Sequence, residues 1–227
     1  MIRVGILGAA GYTGGELINI YYEYLGSHDP QSLELLRLHN YEDVLGMTEL
    51  LPVLSYRKVI EDISADDISD AAISPFTSYD GHDKNELIVT IKNKYTVPKP
   101  ISVRDDDFYC SIASDRTVIR VEILEGELRH FYSDYKNYYY LPKEDMAIHK
   151  SVATFVDNQY RERCKAYNCY VRKSGTFIIQ YDTIMQPDFR KEVKDRHSYF
   201  LLTDDFLNSK QMVASYVKHI IHHLFKL

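Results

Sequence analysis

Residues 38–47 read Leu-His-Asn-Tyr-Glu-Asp-Val-Leu-Gly-Met, a polar start followed by an apolar run that predicts a helix. His39 and Asp43 are four residues apart, so a helix would place both side chains on one face. Asp43 can then offer a carboxylate to a metal ion, and His39 can help to orient a water. Asn40 followed three residues later by Asp43 also approximates a capping box, with Asn40 as the N-cap. The residues alone favour this structural interpretation.

The sequence on either side of this stretch also predicts helices. They are expected over residues 16–25, 31–38 and 40–60. Gly and Pro within residues 26–30 separate the first two, because these residues break helices. Pro52 is expected to end or kink the third helix, since it lacks a backbone donor.

Residues 61–82 are rich in Asp and Ser and predict a linker between a first domain, 1–60, and a second domain, 83–227. From Glu86 onwards the apolar residues alternate with polar ones or become β-branched, which predicts strands. The expected strands cover residues 87–91, 107–112, 117–123, 127–132, 164–171 and 176–181.

The second domain also contains turn and helix signals. Glycines within residues 124–127 and 172–175 predict hairpin turns. Helices are expected over residues 145–156 and 209–226, and the second of these has an apolar stripe at helical spacing. The sequence therefore predicts an α+β fold. A short N-terminal strand and helices are followed by an antiparallel-sheet domain with a C-terminal helix.

The 227 residues are 45% apolar and 26% charged, which fits a soluble globular protein with a buried core. The net charge of −6 excludes a general attraction to nucleic acid, so such binding needs a local basic patch or a bridging metal. No apolar run approaches the roughly 20 residues of a membrane span, and the N-terminus lacks the pattern of a signal peptide. We expect a cytoplasmic protein with no membrane partner, and the oligomeric state stays open.

Cysteine and histidine spacing does not predict a zinc site. Cys164 and Cys169 lack a second ligand pair, and together with Cys110 they are expected to be reduced thiols. His219 and the two other histidines of the predicted C-terminal helix are expected to be solvated or to interact with the helix dipole.

Residues 2–8 predict a short buried strand, which Gly8, Gly11 and Gly14 follow before a helix begins near Glu16. Strand, glycine turn and helix are the context of a dinucleotide-binding loop, in which backbone N–H groups approach a pyrophosphate. The spacing is Gly-x-x-Gly-x-x-Gly rather than Gly-x-Gly-x-x-Gly, so the motif alone is moderately specific.

Residues 1–18 resemble the N-terminus of N-acetyl-gamma-glutamyl-phosphate reductase, an NADP-dependent enzyme of arginine biosynthesis. The resemblance implies that Gly8, Gly11 and Gly14 would contact NADP. That family's nucleophilic cysteine lies in an Asn-Pro-Gly-Cys context, which none of the cysteines in this chain has. Residues 31–60 predict helix where a dinucleotide-binding fold needs a second βα unit. Reductase activity is therefore an alternative that we do not expect.

Residues 15–227 resemble the C-terminal part of ribonuclease-H-like DEDD exonucleases, in particular the YprB-type branch. The resemblance rests on the Asn-Tyr-Glu-Asp-Val run of residues 40–44 and the Leu-Leu-Pro-Val-Leu-Ser-Tyr run of residues 50–56. It implies that Asp43 is the family's last metal-binding aspartate, and that His39 stands where one subgroup carries Tyr. It further implies 3′–5′ digestion of nucleic acid with Mg²⁺ or Mn²⁺.

This chemistry needs several converging carboxylates, because two divalent ions clamp the attacking and leaving oxygens of the phosphodiester. The family carries an Asp-x-Glu pair on its first strand and a further Asp before the final motif. The residues before Asp43 contain no Asp-x-Glu on a strand, so three of the four expected acidic ligands are missing. We expect that this chain alone does not build the exonuclease site. The two resemblances meet within residues 14–18, which indicates a fusion.

Basic side chains and tyrosines alternate between residues 160 and 173, a pattern that suits a single-stranded backbone and its bases. The residues are Arg161, Arg163, Lys165, Tyr167, Tyr170, Arg172 and Lys173. This pattern predicts a non-catalytic module that binds nucleic acid or a protein partner. A solvated hairpin explains the same residues, and the sequence alone favours that structural interpretation.

Overall fold

The described part of the chain begins with helices and continues mainly with strands. The computed structural model describes residues 14–78 and 80–225, and the strand predicted over residues 2–8 lies outside them. The chain divides into two compact units between Arg57 and Lys58. The first unit is helical, and the second combines antiparallel sheets with a C-terminal helix, so the predicted α+β class is confirmed.

The described residues form six α-helices and eleven β-strands. The helices are α1 (Gly14–Ser27), α2 (Pro30–Leu50), α3 (Leu54–Glu61), α4 (Lys150–Ala153), α5 (Asp204–Asn208) and α6 (Lys210–Phe225). The strands are β1 (Ile68–Thr77), β2 (Asp83–Lys92), β3 (Ile101–Arg104), β4 (Phe108–Ile112), β5 (Arg116–Phe131), β6 (Tyr138–Leu141), β7 (Met146–His149), β8 (Glu162–Arg163), β9 (Tyr170–Gln180), β10 (Asp188–Phe189) and β11 (Ser198–Leu201).

The central helix of the first unit, α2, runs without a break from Pro30 to Leu50, so it joins the predicted helix 31–38 to the first part of the predicted helix 40–60. Asp29 is its N-cap, and its carboxylate accepts hydrogen bonds from the backbone N–H (2.9 Å) and the hydroxyl (3.0 Å) of Ser32. Pro30 starts the first turn, where a missing N–H costs no hydrogen bond. The N-cap predicted at Asn40 is therefore wrong, because the helix starts upstream and continues through that residue.

The two helix breaks predicted from Gly and Pro residues are confirmed. α1 ends at Ser27, inside the break predicted over residues 26–30. α2 ends at Leu50, and a 3₁₀ turn that contains Pro52 separates it from α3, as expected for a residue without a backbone N–H. In the part of the chain that the structure describes, no helix is long and apolar enough to cross a membrane.

The linker predicted over residues 61–82 is instead part of the main sheet. It contains β1, which pairs antiparallel with β2. Ile68 at the start of β1 is buried, whereas most of the following residues are exposed or half-buried. The Asp and Ser residues that suggest a linker are thus typical of a sheet edge that faces solvent.

The main sheet of the second unit has the strand order β1-β2-β5-β9-β11-β10, with β4 paired to β5 and β3 paired to β4. The first half of β5 pairs with β2 and β4, and its second half pairs with β9. An isolated antiparallel bridge between Arg129 and Arg190 connects the end of β10 to β5. The strands β5, β9, β11 and β10 therefore form a ring, and Leu128, Phe177 and Phe189 pack together on it.

The two hairpins predicted at residues 124–127 and 172–175 are replaced by continuous strands that pair with each other. Gly126 of β5 lies directly opposite Gly175 of β9. Gly126 has a φ of +155°, a conformation that glycine adopts readily and other residues do not. A Cβ at Gly175 would lie 2.6 Å from Cδ1 of Leu201. Gly126 therefore allows an unusual backbone angle, and Gly175 allows the close approach of Leu201. Both glycines lie inside strands and not in turns.

The helix predicted over residues 145–156 is replaced by β7 and the single turn of α4. Asp145 has a φ of +51°, outside the right-handed helical region, so a helix does not start there. β6 supplies the backbone partner that makes Met146–His149 a strand.

The predicted C-terminal helix is confirmed as α6, and its apolar stripe is buried as expected. The buried residues are Val213, Ala214, Tyr216, Val217, Ile220 and Ile221. The hydroxyl of Tyr216 donates a hydrogen bond to the backbone oxygen of Ile179 at 2.9 Å. This bond ties the helix to β9.

The side chain of His219 on α6 is buried, whereas the sequence predicts a histidine that is solvated or interacts with the helix dipole. Its side chain is 7% exposed, and Nε2 accepts a hydrogen bond from the backbone N–H of Tyr181 at 2.9 Å. Burial lowers the pKa of His219, while Asp182 opposes this shift. His223 and His222 lower the pKa further. The neutral imidazole is therefore the form that fits this position.

Acidification should destabilise the second unit through His219. The folded-state pKa of His219 lies below the unfolded value of about 6.5. The contribution of the neutral imidazole to folding stability is therefore complete above that value and is lost as the pH falls below it. His219→Gln keeps an acceptor but cannot titrate, so we expect urea unfolding free energies that depend less on pH in this range. His82→Gln replaces an exposed histidine of the same unit that lies outside α6, and it serves as the control. Identical pH profiles for wild type and His219→Gln would contradict the prediction.

Candidate nucleic-acid interface

A small three-stranded sheet carries most of the residues predicted to contact nucleic acid. Its strand order is β7-β6-β8, and we name residues 132–169 the tyrosine lobe. Ala147, Cys164 and Cys169 form its buried centre. The surrounding half-buried side chains are Tyr132, Tyr135, Tyr138 and Tyr140. Both cysteines are free thiols, and burial raises the pKa of Cys169 to about 12, so the two thiols act as packing groups.

Asp145 attaches the tyrosine lobe to β9. The hydroxyls of Tyr140, at 2.5 Å, and of Tyr170 both donate to its Oδ1. Oδ2 of Asp145 lies 3.5 Å from Nε of Arg172. The hydrogen bonds from the two tyrosines lower the pKa of Asp145, and the Arg172 charge lowers it further. A single carboxylate thus joins β6, the turn before β7, and β9.

Two of the predicted nucleic-acid contacts belong to this attachment. Tyr170 is only 6% exposed, so its ring is not available for stacking on a base, and the prediction for this residue is wrong. Arg172 contacts Glu127 (3.3 Å) as well as Asp145, and it donates to the backbone oxygen of Glu144 (3.2 Å). Its charge is therefore largely balanced within the fold.

The remaining basic residues of the tyrosine lobe lie beside aromatic rings or in solvent. Arg161 lies 5.0 Å from the ring centre of Tyr139 and also donates hydrogen bonds to Ala153 and Asn158, so it has a structural role. Nζ of Lys165 lies 5.8 Å from the ring centre of its neighbour Tyr167.

Arg163 and Lys165 flank the buried Cys164, and both are exposed. Neither contacts an acidic side chain within the described residues. Lys173 on β9 is also exposed and equally lacks an ion pair in the described part of the chain. These three cations, in contrast to Arg161 and Arg172, are available to a ligand.

Three aromatic side chains of the tyrosine lobe project into solvent. Phe155 is 90% exposed, Tyr167 is 61% exposed and Tyr160 is 44% exposed. Nζ of Lys143 lies 4.8 Å from the ring centre of Tyr160. Sequence reasoning missed Phe155, because this residue falls inside the helix predicted over residues 145–156 and outside the basic segment 160–173.

Charge is distributed unevenly along the chain. Residues 132–173 contain eight Lys and Arg against five Asp and Glu, whereas the whole chain has 27 against 33. The segment is therefore locally basic in a protein of net negative charge. This is the local patch that nucleic-acid binding would require.

The residues predicted for metal chemistry lie in the first unit. Nδ1 of His39 and Oδ2 of Asp43 are 3.1 Å apart on one face of α2, as the sequence predicts. His39 is 9% exposed, and its Nε2 is buried without a hydrogen-bond partner among the described residues. Among residues 14–78 and 80–225, no group of three or more His, Cys, Asp or Glu side chains converges to hold a metal. One carboxylate that is paired with a histidine does not fit a two-metal site for Mg²⁺ or Mn²⁺.

The predicted NADP loop falls mostly outside the described residues. Gly8 and Gly11 lie outside them, and Gly14 is the first residue of α1. The NADP prediction therefore stays a prediction. Comparisons with protein families, with curated proteins and with solved structures find no match for this chain.

The attachment of the tyrosine lobe can be tested at Asp145. Asp145→Asn removes the charge but tolerates the positive φ, because Asn adopts the left-handed region more readily than most residues. We expect a loss of about 1 kcal/mol in unfolding free energy, because the amide oxygen still accepts from the tyrosine hydroxyls but without the charge that strengthens such bonds. Asp157→Asn changes an exposed acid of the same lobe and should leave chemical denaturation unchanged. Equal stability of the two variants would show that Asp145 does not hold the lobe.

Proposed function

We propose that this chain is a non-catalytic module that binds single-stranded nucleic acid through the tyrosine lobe. The proposal rests on two exposed cations, Arg163 and Lys165, that have no acidic partner among the described residues. The exposed ring of Tyr167 lies 5.8 Å from Nζ of Lys165. Cations of this kind pair with backbone phosphates, and exposed aromatic rings stack on bases without regard to sequence. Phe155 and Tyr160 offer two further rings for stacking.

Base stacking and phosphate contacts make separate, measurable contributions in this proposal. Lysine and arginine contacts to phosphate release counterions, so binding should weaken as salt rises. Aromatic stacking depends much less on salt and tolerates all four bases. The net charge of −6 opposes non-specific attraction elsewhere on the protein.

Charge reversal in the tyrosine lobe tests this proposal. With a labelled oligothymidylate in fluorescence anisotropy, Arg163→Glu/Lys165→Glu should weaken binding about tenfold or more, and should reduce the salt slope by about 1.4, since each lost phosphate contact contributes about 0.7. Lys92→Glu/Arg116→Glu is the matched control. It makes the same change in charge at two positions that face each other across β2 and β5. Equal weakening by both double variants would point to net charge and overturn the proposal.

Aromatic truncation gives a second arm of the same experiment. Phe155→Ala and Tyr167→Ala should each cost about 1–3 kcal/mol of binding free energy at unchanged salt slope. Phe155 is almost fully exposed, so its loss should not reduce stability. Unchanged affinity in both variants would leave no role for stacking on the tyrosine lobe.

We further propose, from its resemblance, that the first unit is an incomplete piece of a ribonuclease-H-like exonuclease. Two observations favour this second candidate. His39 and Asp43 lie together on one face of α2. The same helix exposes apolar side chains that a complete domain would cover, since contiguous apolar patches are rare on monomers. They are Leu38, Tyr41, Val44, Leu45 and Met47, each between 45% and 62% exposed.

The incomplete-site proposal predicts no nuclease activity in the isolated chain. Single-stranded DNA labelled at its 5′ end and incubated with Mn²⁺ or Mg²⁺ should remain intact, because one carboxylate cannot position two ions. The Asp43→Ala variant should behave identically. Processive shortening by the wild type that Asp43→Ala abolishes would show that the exonuclease site is complete.

A further inference from the structure

A cavity of about 390 Å³ lies beside the edge of β9 in the second unit. β11 pairs only with Phe177–Gln180 of β9. Residues 171–173 of β9 have no β11 residue beside them, and they border the cavity. The end of β11, the start of α5 and Met212 of α6 complete its walls.

The lining of this cavity is mostly apolar. Phe189, Phe200 and Phe206 contribute to it and are at most 5% exposed, so they form a fixed floor. Met185 and Met212 also line it, and their flexible thioether side chains adapt to the shape of a ligand. The volume falls in the range of about 300–1,000 Å³ that is common for small-molecule sites.

The ionisable residues around the cavity are all basic. They are His130, Arg172 and Lys173, and no acidic residue contributes to the lining. Arg172 is already held by Glu127 and Asp145. Lys173 is exposed and lacks an ion pair among the residues that the structure describes. The cavity thus combines an apolar floor with one available positive charge at its edge.

We propose that this cavity binds a small carboxylate with an unbranched or aromatic apolar body. The carboxylate contacts the Lys173 ammonium, and the body lies against Phe189, Phe200 and Phe206. An apolar floor favours an apolar body, because burial removes its surface from water. A single available cation favours a ligand with one negative charge. This site is separate from the nucleic-acid proposal, since neither Arg163 nor Lys165 lines the cavity.

Methionine methyl groups provide a direct readout of binding. Decanoate is titrated into the full chain labelled with ¹³C at the methionine methyls and followed by NMR. We expect saturable shifts of Met185 and Met212, which line the cavity, and unchanged signals from Met47 and Met146, which do not. Decyltrimethylammonium has the same tail and the opposite charge. It should bind at least about tenfold more weakly than decanoate, the loss expected for one charge-assisted contact.

Two variants connect the shifts to the proposed contacts. Lys173→Met should weaken decanoate binding about tenfold, while Lys92→Met, at an exposed lysine of β2, should leave it unchanged. Met212→Trp, at a side chain 37% exposed, should fill the cavity and abolish the Met185 shift. Its unchanged Met146 signal and far-UV circular dichroism would show that it folds.

Three outcomes would overturn the proposal. They are the absence of Met185 and Met212 shifts at millimolar decanoate, equal binding of the cationic and anionic probes, and wild-type affinity in Lys173→Met. None of these outcomes depends on nucleic-acid binding, which is measured with Arg163→Glu/Lys165→Glu.

Discussion

Nine consecutive residue pairs join β5 to β9, and the rest of the second unit depends on this ladder. The half of β5 that precedes it carries β2 and β4, and the end of β9 carries β11. The α6 helix attaches to β9 through Tyr216 and the backbone of Ile179. Gly126 faces Gly175 near the middle of the ladder. A side chain at Gly126 would strain the backbone, and one at Gly175 would displace Leu201.

The ladder also determines which basic residues are available to a ligand. Its last pair, Phe131 and Tyr170, leads into the tyrosine lobe, which Asp145 holds against β9. This contact occupies Arg172 and buries Tyr170. Arg163, Lys165 and Lys173 lie outside this contact and remain exposed. Both proposed ligand sites use these cations. Neighbouring residues of one basic segment thus have different roles, because alternate side chains of a strand point to opposite faces.

The helical unit has a different character. Its helices leave large apolar side chains exposed on α2 and α3, including Leu45, Leu50 and Leu54. The second unit instead buries its apolar residues on both sheet and helix, with Leu87, Val121 and Phe177 fully covered. This contrast supports the proposal that the first unit is part of a larger domain. It also makes the second unit the better candidate for independent folding and binding.

Local signals along the chain determined the helix breaks at residues 26–30 and at Pro52, the amphipathic face of α6 and the α+β class. These features follow from short-range rules of capping, helix breaking and hydrophobic period, which act on neighbouring residues. The tertiary structure alone decided that Gly126 and Gly175 face each other within strands, since a glycine in sequence is equally compatible with a turn or a strand irregularity. It also decided the burial of Tyr170 and His219 and the exposure of Phe155. Those outcomes depend on contacts between residues that are distant in sequence, which no local pattern encodes.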